Sequence, residues 1–280
     1  MGRPAQPGRS DASSIEIDTS VPHAARVYDY LLGGVTNFEV DRLAAEQAAA
    51  LAGGMDRVRA EVRANRAFLR RAIHFLIHEA GVRRFLDIGT GIPNDDNVHA
   101  VAQVEAPDAR VVYVDKDPVV LAHAHVLLAG TPDGAAHFLH EDLRRPERIL
   151  ERATEVLGAD GPWAVMMVGL LHHFRDAERP AELAAHLMEG VPAGSYLVIS
   201  HLASDIDDQY ADAGADLDEA MDEPLVFRPY DRVAEFVAGL DLVEPGLVPV
   251  DSWRPDAAPQ PGSPPNPLYA AIGCKPEAGS

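Results

Sequence analysis

At 280 residues and 47% apolar side chains, the chain can bury the core of one large α/β domain or two small ones. A formal charge of −20 repels phosphate polyanions and disfavours nucleic acid as a partner. The single cysteine, Cys274, excludes an intrachain disulfide framework, and neither a signal core nor a membrane-length apolar run is present. These features together predict a cytoplasmic protein.

Residues 1–14 are polar, with Gly, Pro and Ser, and read as a disordered tail. Residues 15–80 predict an N-terminal helical cap. Its first helix, within 20–34, carries Ala24, Val27, Leu31 and Leu32 at helical spacing and stops at Gly33-Gly34. A second helix spans 41–51. A third covers 55–80, with an apolar stripe through Val58, Val62, Leu69, Ile73 and Leu76. Asn65 interrupts that stripe and needs a partner, either a backbone group, the favoured structural reading, or a ligand. Arg57, Arg59, Arg63, Arg66, Arg70 and Arg71 read as a solvated charged face or as partners of the acidic segments.

From residue 81 onward the pattern becomes strand–helix–strand. Apolar segments at 84–89, 110–115, 136–142, 163–171 and 194–200 alternate with helical stretches at 96–105, 118–129, 146–157 and 177–189. This alternation predicts a Rossmann-like α/β fold, a mostly parallel sheet covered by helices on both faces. An acidic segment at 204–223 follows, either a lid or a solubilising insertion. Then come a short helix near 231–239 and two further strands, 242–250 and 267–274.

FLDIGTGIP (85–93) is a strand ending in a Gly-x-Gly turn, where the missing Cβ atoms of Gly89 and Gly91 allow close approach of a ligand. A turn that serves only the fold is the bland alternative. The third glycine of the dinucleotide fingerprint is missing, which weighs against a nicotinamide oxidoreductase. In VVYVDKDP (111–118), Asp117 before Pro118 has the signature of a helix N-cap. That leaves Asp115, at the strand end, to accept hydrogen bonds from ribose hydroxyls. The third strand ends in Glu141-Asp142, a second acidic terminus on the same edge of the sheet.

FLDIGTG, VVYVDKDP, HEDL and a fourth strand running into LLHHF resemble the class I S-adenosylmethionine-dependent methyltransferases. VPHAARVYDYLLGGVTNFEVDR, NRAFLRRA, NVH, VLAHA and LVEPGLVPV narrow the resemblance to the actinobacterial S-adenosyl methyltransferase family, formerly catalogued as a domain of unknown function. The resemblance covers roughly residues 18–275 and departs from the family pattern at Ala100, where the family carries Glu after Asn-Val-His. It implies a seven-stranded sheet with an antiparallel last strand, and S-adenosylmethionine as the cofactor. It also implies that Gly89, Thr90 and Gly91 underlie the methionine and ribose, with Asp87 supporting that loop or meeting the methionine amino group. Asp115 would hold the ribose, Lys116 would lie along the adenine, and Asp142 with Leu143 would meet the adenine. Gly169 and Leu170 would line the pocket beside the sulfonium.

His172 and His173 follow the fourth strand, and each reads either as a general base or as a residue that shapes the pocket. Tyr28 is a third candidate base; with Gly33-Gly34 and Asn37-Phe38 it reads either as part of a cap closing the pocket or as helix packing. His74 and His78 are spaced like a metal pair, but no third ligand of matching spacing appears, so no metal is expected. The expected partner is a small-molecule methyl acceptor, and the rival to an enzyme is a non-catalytic cofactor-binding protein. Oligomeric state is not legible.

Overall fold

The computed structural model describes residues 18–94, 96–127, 134–207, 223–257 and 265–277. The predicted tail at 1–14, most of the acidic segment (208–222) and part of the stretch between the last two predicted strands (258–264) lie outside the described residues. Three helices open the fold: α1 (Ala24–Leu32), α2 (Glu39–Leu51) and α3 (Met55–His78). The alternating part follows as β1 (Arg84–Ile88), α4 (Val98–Glu105), β2 (Arg110–Asp115), α5 (Pro118–Leu127), β3 (Ala135–His140), α6 (Pro146–Leu157) and β4 (Ala164–Val168). It continues through α7 (Pro180–Gly190), β5 (Tyr196–Leu202), α8 (Tyr230–Ala234), β6 (Asp241–Leu242), β7 (Val248–Pro249) and β8 (Leu268–Cys274).

The strands form one sheet in the order β3-β2-β1-β4-β5-β8-β6, with β7 also paired to β8. β1 to β5 run parallel and β8 runs antiparallel to β5. The chain winds outward from β1 in one direction through β2 and β3, then returns to add β4 and β5 on the other side. The crevice between β1 and β4 is therefore the topological switch point, where open α/β sheets bind ligands.

The Rossmann-like class stands, with one correction to its edge. Instead of a single strand over 242–250, two short strands pair in succession with β8, because the chain turns at Pro245-Gly246, where Gly246 N–H donates to Val243 O at 2.8 Å. The fourth strand also ends earlier than its apolar run. β4 stops at Val168, and Leu171–His173 forms a single 3₁₀ turn.

Alternate residues of the central strands feed two cores. Leu86, Ile88, Val112 and Val114 point to the face covered by α6 and α7, where Ile149 and Leu187 are buried. Phe85, Val111 and Tyr113 point to the face covered by α3 and α4, around Phe68, Leu76 and Trp253. α3 joins the cap to this sheet. Its later half packs on the strands, while Val58 and Val62 in its first half belong to a third cluster with Val27, Leu31, Ala45 and Ala49. The corner between α1 and α2 is held by buried Asp41, which accepts Arg26 Nε–H and His23 N–H, each at 3.0 Å, and Phe38 N–H at 2.8 Å.

Candidate active site at the sheet switch point

The loop leaving β1 carries Gly89 (φ 70°) and Gly91 (φ 65°), both in the left-handed region. The two glycines serve different ends. A Cβ on Gly89 would fall 2.4 Å from Leu170 Cδ1, so this glycine lets the loops after β1 and β4 touch. A Cβ on Gly91 would meet no atom within 4 Å, because that face opens into the cavity. Gly89 thus serves the packing of the two loops, while Gly91 leaves open space beside the cavity.

Asp115 stands at the end of β2 and ties the loops together. Its Oδ2 accepts Gly91 N–H at 2.9 Å and its Oδ1 accepts Asp117 N–H at 2.9 Å. Each carboxylate oxygen keeps a lone pair for a further donor. Burial raises its pKa more than these two N–H groups lower it. Asp117 acts as the predicted N-cap, accepting Val119 N–H at 2.7 Å.

One cavity is lined by Tyr28, Gly89, Thr90, Gly91, Asp115, Lys116, Asp142, Leu143, Gly169, Leu170, His172 and His173. Asp87 is absent from that lining. Its carboxylate accepts Thr90 Oγ1–H at 3.2 Å beneath the loop, a contact that supports the loop. Burial pushes the pKa of Asp87 up to about 6 against the opposing pull of Arg66 and Thr90.

The cap lies on the cavity side of the sheet. His23 Nδ1, at the start of α1, is 3.3 Å from Asp117 Oδ2 at the start of α5. Val27, Leu31, Val58 and Val62 give the cavity an apolar wall that continues through Leu225 and Phe227. Tyr28 Oη accepts Asn65 Nδ2–H at 3.2 Å and donates to Val62 O at 3.4 Å. Burial raises the Tyr28 pKa, which opposes a phenolate.

Burial disfavours the charged form of both histidines after β4. Burial lowers His172 well below the usual imidazole range, with His173, His201 and Arg228 adding to the effect. Burial also lowers His173, whose Nδ1 faces Pro224 O at 2.9 Å. His172 Nδ1 and Asn65 Oδ1 are buried and have no hydrogen-bond partner among the described residues. They flank Gly169, whose notional Cβ would lie 4.0 Å from His172 Cε1 and 3.4 Å from Asn65 Nδ2.

Several site residues escaped the sequence reading. Arg66, assigned there to a solvated run, lines the cavity and donates to Asn94 Oδ1 at 3.1 Å, while its buried Nε has no partner among the described residues. Arg71 departs from the solvated face as well, donating to Trp253 O at 2.8 Å, whereas Arg57 pairs with Glu61 and with Asp207 of the acidic segment, the alternative reading of that run. Glu223 also lines the cavity and pairs with Lys116 Nζ at 2.7 Å. Burial works to raise its pKa, but that bond and the nearby histidines hold it below the usual glutamate value. The His74–His78 pair does acquire a third neighbour, Glu105, supplied by α4.

A parallel sheet with a glycine loop, acidic strand ends and a helical cap around its switch point defines a Rossmann-like methyltransferase. The chain belongs to the S-adenosyl methyltransferase family, whose profile matches residues 10–276. It is similar to a crystal structure of a DUF574 family protein from Streptomyces avermitilis, with 37% identity and a TM-score of 0.87 over 93% of this chain and all of that one. A methyltransferase candidate from Thermobifida fusca YX is similar at 36% identity and a TM-score of 0.84, over 92% of this chain and 97% of its own. No curated protein matches the chain. Among the described residues, no helix is long and apolar enough to cross a membrane.

Proposed function

We propose that this chain binds S-adenosylmethionine at the carboxyl edge of β1 to β4 and transfers its methyl group to a small, largely apolar acceptor. The observation that carries the reading is the meeting, in one cavity, of the open face of Gly91, the Asp115 carboxylate and Asp142, each from a different strand end. These acceptor groups suit a ligand whose donors are a ribose diol and an adenine amino group and which carries no phosphate. The fit extends to the amino-acid end of the cofactor, where Arg66 offers a guanidinium with an unpartnered Nε.

Asp115 would hold the ribose hydroxyls, Lys116 would run along the adenine, and Asp142 with Leu143 would meet its amino edge. Gly89, Thr90 and Gly91 would pass under the ribose and methionine, and Gly169 and Leu170 would border the sulfonium. When bound, the cofactor supplies a methyl group on a cationic sulfur, open to in-line displacement. The rest of the task falls to orientation and the exclusion of water, which the apolar wall of Val27, Leu31, Val62 and Phe227 supports. His172, with Nδ1 unpartnered among the described residues, is the group suited to accept a hydrogen bond from the acceptor, while the burial that lowers its pKa opposes full protonation. His173 is occupied at Nδ1 by Pro224 O and shapes the wall, and Tyr28 serves as an aromatic wall with its hydroxyl engaged.

The test is transfer of a labelled methyl group from S-adenosylmethionine across panels of phenols, alcohols and amines. Labelled product with stoichiometric S-adenosylhomocysteine is the expected result. Binding without turnover across every panel would favour the non-catalytic cofactor-binding protein.

A further inference from the structure

We propose that the outer ends of α3 and α4 form a zinc-binding site with three protein ligands: His74 Nδ1, His78 Nε2 and the Glu105 carboxylate. His74 and His78 are four residues apart on α3, so they share one face of the helix, with ring centroids 4.5 Å apart. α4 packs beside that face and presents Glu105 from its last turn. Glu105 Oε2 lies 3.3 Å from His74 Nδ1 and 2.8 Å from His78 Nε2. All three ligand atoms fall within 4.8 Å of one another.

Those separations suit a metal ion. Ligand atoms about 2.0–2.2 Å from a tetrahedral zinc stand roughly 3.3–3.5 Å from one another, so small side-chain rotations would complete the site. An ordinary ion pair needs one histidine; here two imidazoles from one helix converge on a single carboxylate oxygen from another. Two imidazoles and a carboxylate select a borderline transition metal over magnesium or calcium, which prefer all-oxygen shells. The side chains of His74 and His78 are 62% and 48% exposed, so the ion has a path in and a solvent-facing fourth position.

None of the three residues lines the methyltransferase cavity, so this site is separate from it. The clamp would nevertheless act on its frame. α3 carries Asn65 and Arg66, and α4 begins at Val98, just after the loop whose Asn94 Oδ1 accepts from Arg66. A zinc ion would cross-link these two helices at the ends remote from the cavity.

The experiment is calorimetric titration of zinc chloride into the full-length protein after chelator treatment, comparing the natural sequence with His74→Ala, His78→Ala and Glu105→Gln. Loss of even an outer-shell partner weakens metal sites by about 10–100-fold, so loss of a direct ligand should cost at least about tenfold. One zinc per chain, weakened at least tenfold in each variant, is the expected result. Cobalt should likewise give the visible absorption of a tetrahedral centre in the natural protein and lose it in the variants. The histidine sites are exposed, and an unchanged circular dichroism spectrum verifies that each variant folds. Absence of saturable zinc binding by the natural protein, or equal affinity in all three variants, would overturn the proposal.

Discussion

Asp115 Oδ2 accepts the backbone N–H of Gly91 at 2.9 Å, so the end of β2 fixes the glycine loop that leaves β1. The same carboxylate lines the cavity, so one side chain supports the loop and faces the space proposed for the cofactor. Asp115→Ala is expected to weaken S-adenosylhomocysteine binding by roughly 2–4 kcal/mol, since hydrogen bonds to a charged group contribute about 1.5–3 kcal/mol each. Calorimetry on the folded variant checks this, and an unchanged dissociation constant would remove Asp115 from the site.

Arg66, proposed to face the amino-acid end of the cofactor, offers a test that separates the two ends of that ligand. Arg66→Ala should weaken S-adenosylhomocysteine binding while leaving 5′-methylthioadenosine, which lacks the amino-acid carboxylate, nearly unaffected. Parallel titrations with both ligands decide the matter. Equal losses would point to a general disturbance of the loop through Asn94 instead.

Asp87 makes stability depend on pH in an unusual direction. Its folded-state pKa, about 6, lies above the unfolded value near 3.8, so the folded form holds the extra proton between those values. Stability from this group therefore falls as pH rises from about 4 to about 6, and the penalty persists above that. Asp87→Asn removes the penalty and should raise stability at pH 8 by up to about 3 kcal/mol, with the gain vanishing below pH 4. Urea denaturation at both pH values measures it.

Arg26 and Asp41 form a buried pair at the corner of the cap. Arg26→Ala leaves the Asp41 charge buried without its cation, a change that costs about 3–5 kcal/mol. Hydrogen exchange should accelerate over α1 and α2 while the amides of β1 to β5 keep their protection. Uniform acceleration across the sheet would show that the cap does not open separately.

Tyr28→Phe separates an aromatic wall from a reacting hydroxyl. The substitution leaves Asn65 Nδ2 without its partner and should cost about 1 kcal/mol of stability, yet methyl transfer should persist. Loss of turnover with intact cofactor binding would assign the hydroxyl to the chemistry.

The parts of this fold written in local sequence were legible. The apolar runs of β1, β2 and β5, the Gly89–Gly91 turn and the Asp117-Pro118 cap are patterns of neighbouring residues, and the structure places them where those patterns indicate. What escaped depends on contacts between distant segments. Arg66 sits in a run of arginines that reads as solvated until Asn94, 28 residues away, is brought against it. Glu105 lies 27 residues beyond His78, on another helix, so spacing within α3 never exposes it. The division of 242–250 into β6 and β7 needed the Pro245-Gly246 turn to outweigh a β-prone run.

Calorimetric titration of S-adenosylmethionine into the natural protein, paired with Asp115→Ala, is the most direct measurement of the central claim. One molecule should bind per chain, with affinity lost or strongly reduced in the variant. Folded protein that takes up neither S-adenosylmethionine nor S-adenosylhomocysteine would show that the cavity at the β1–β4 switch point serves another ligand.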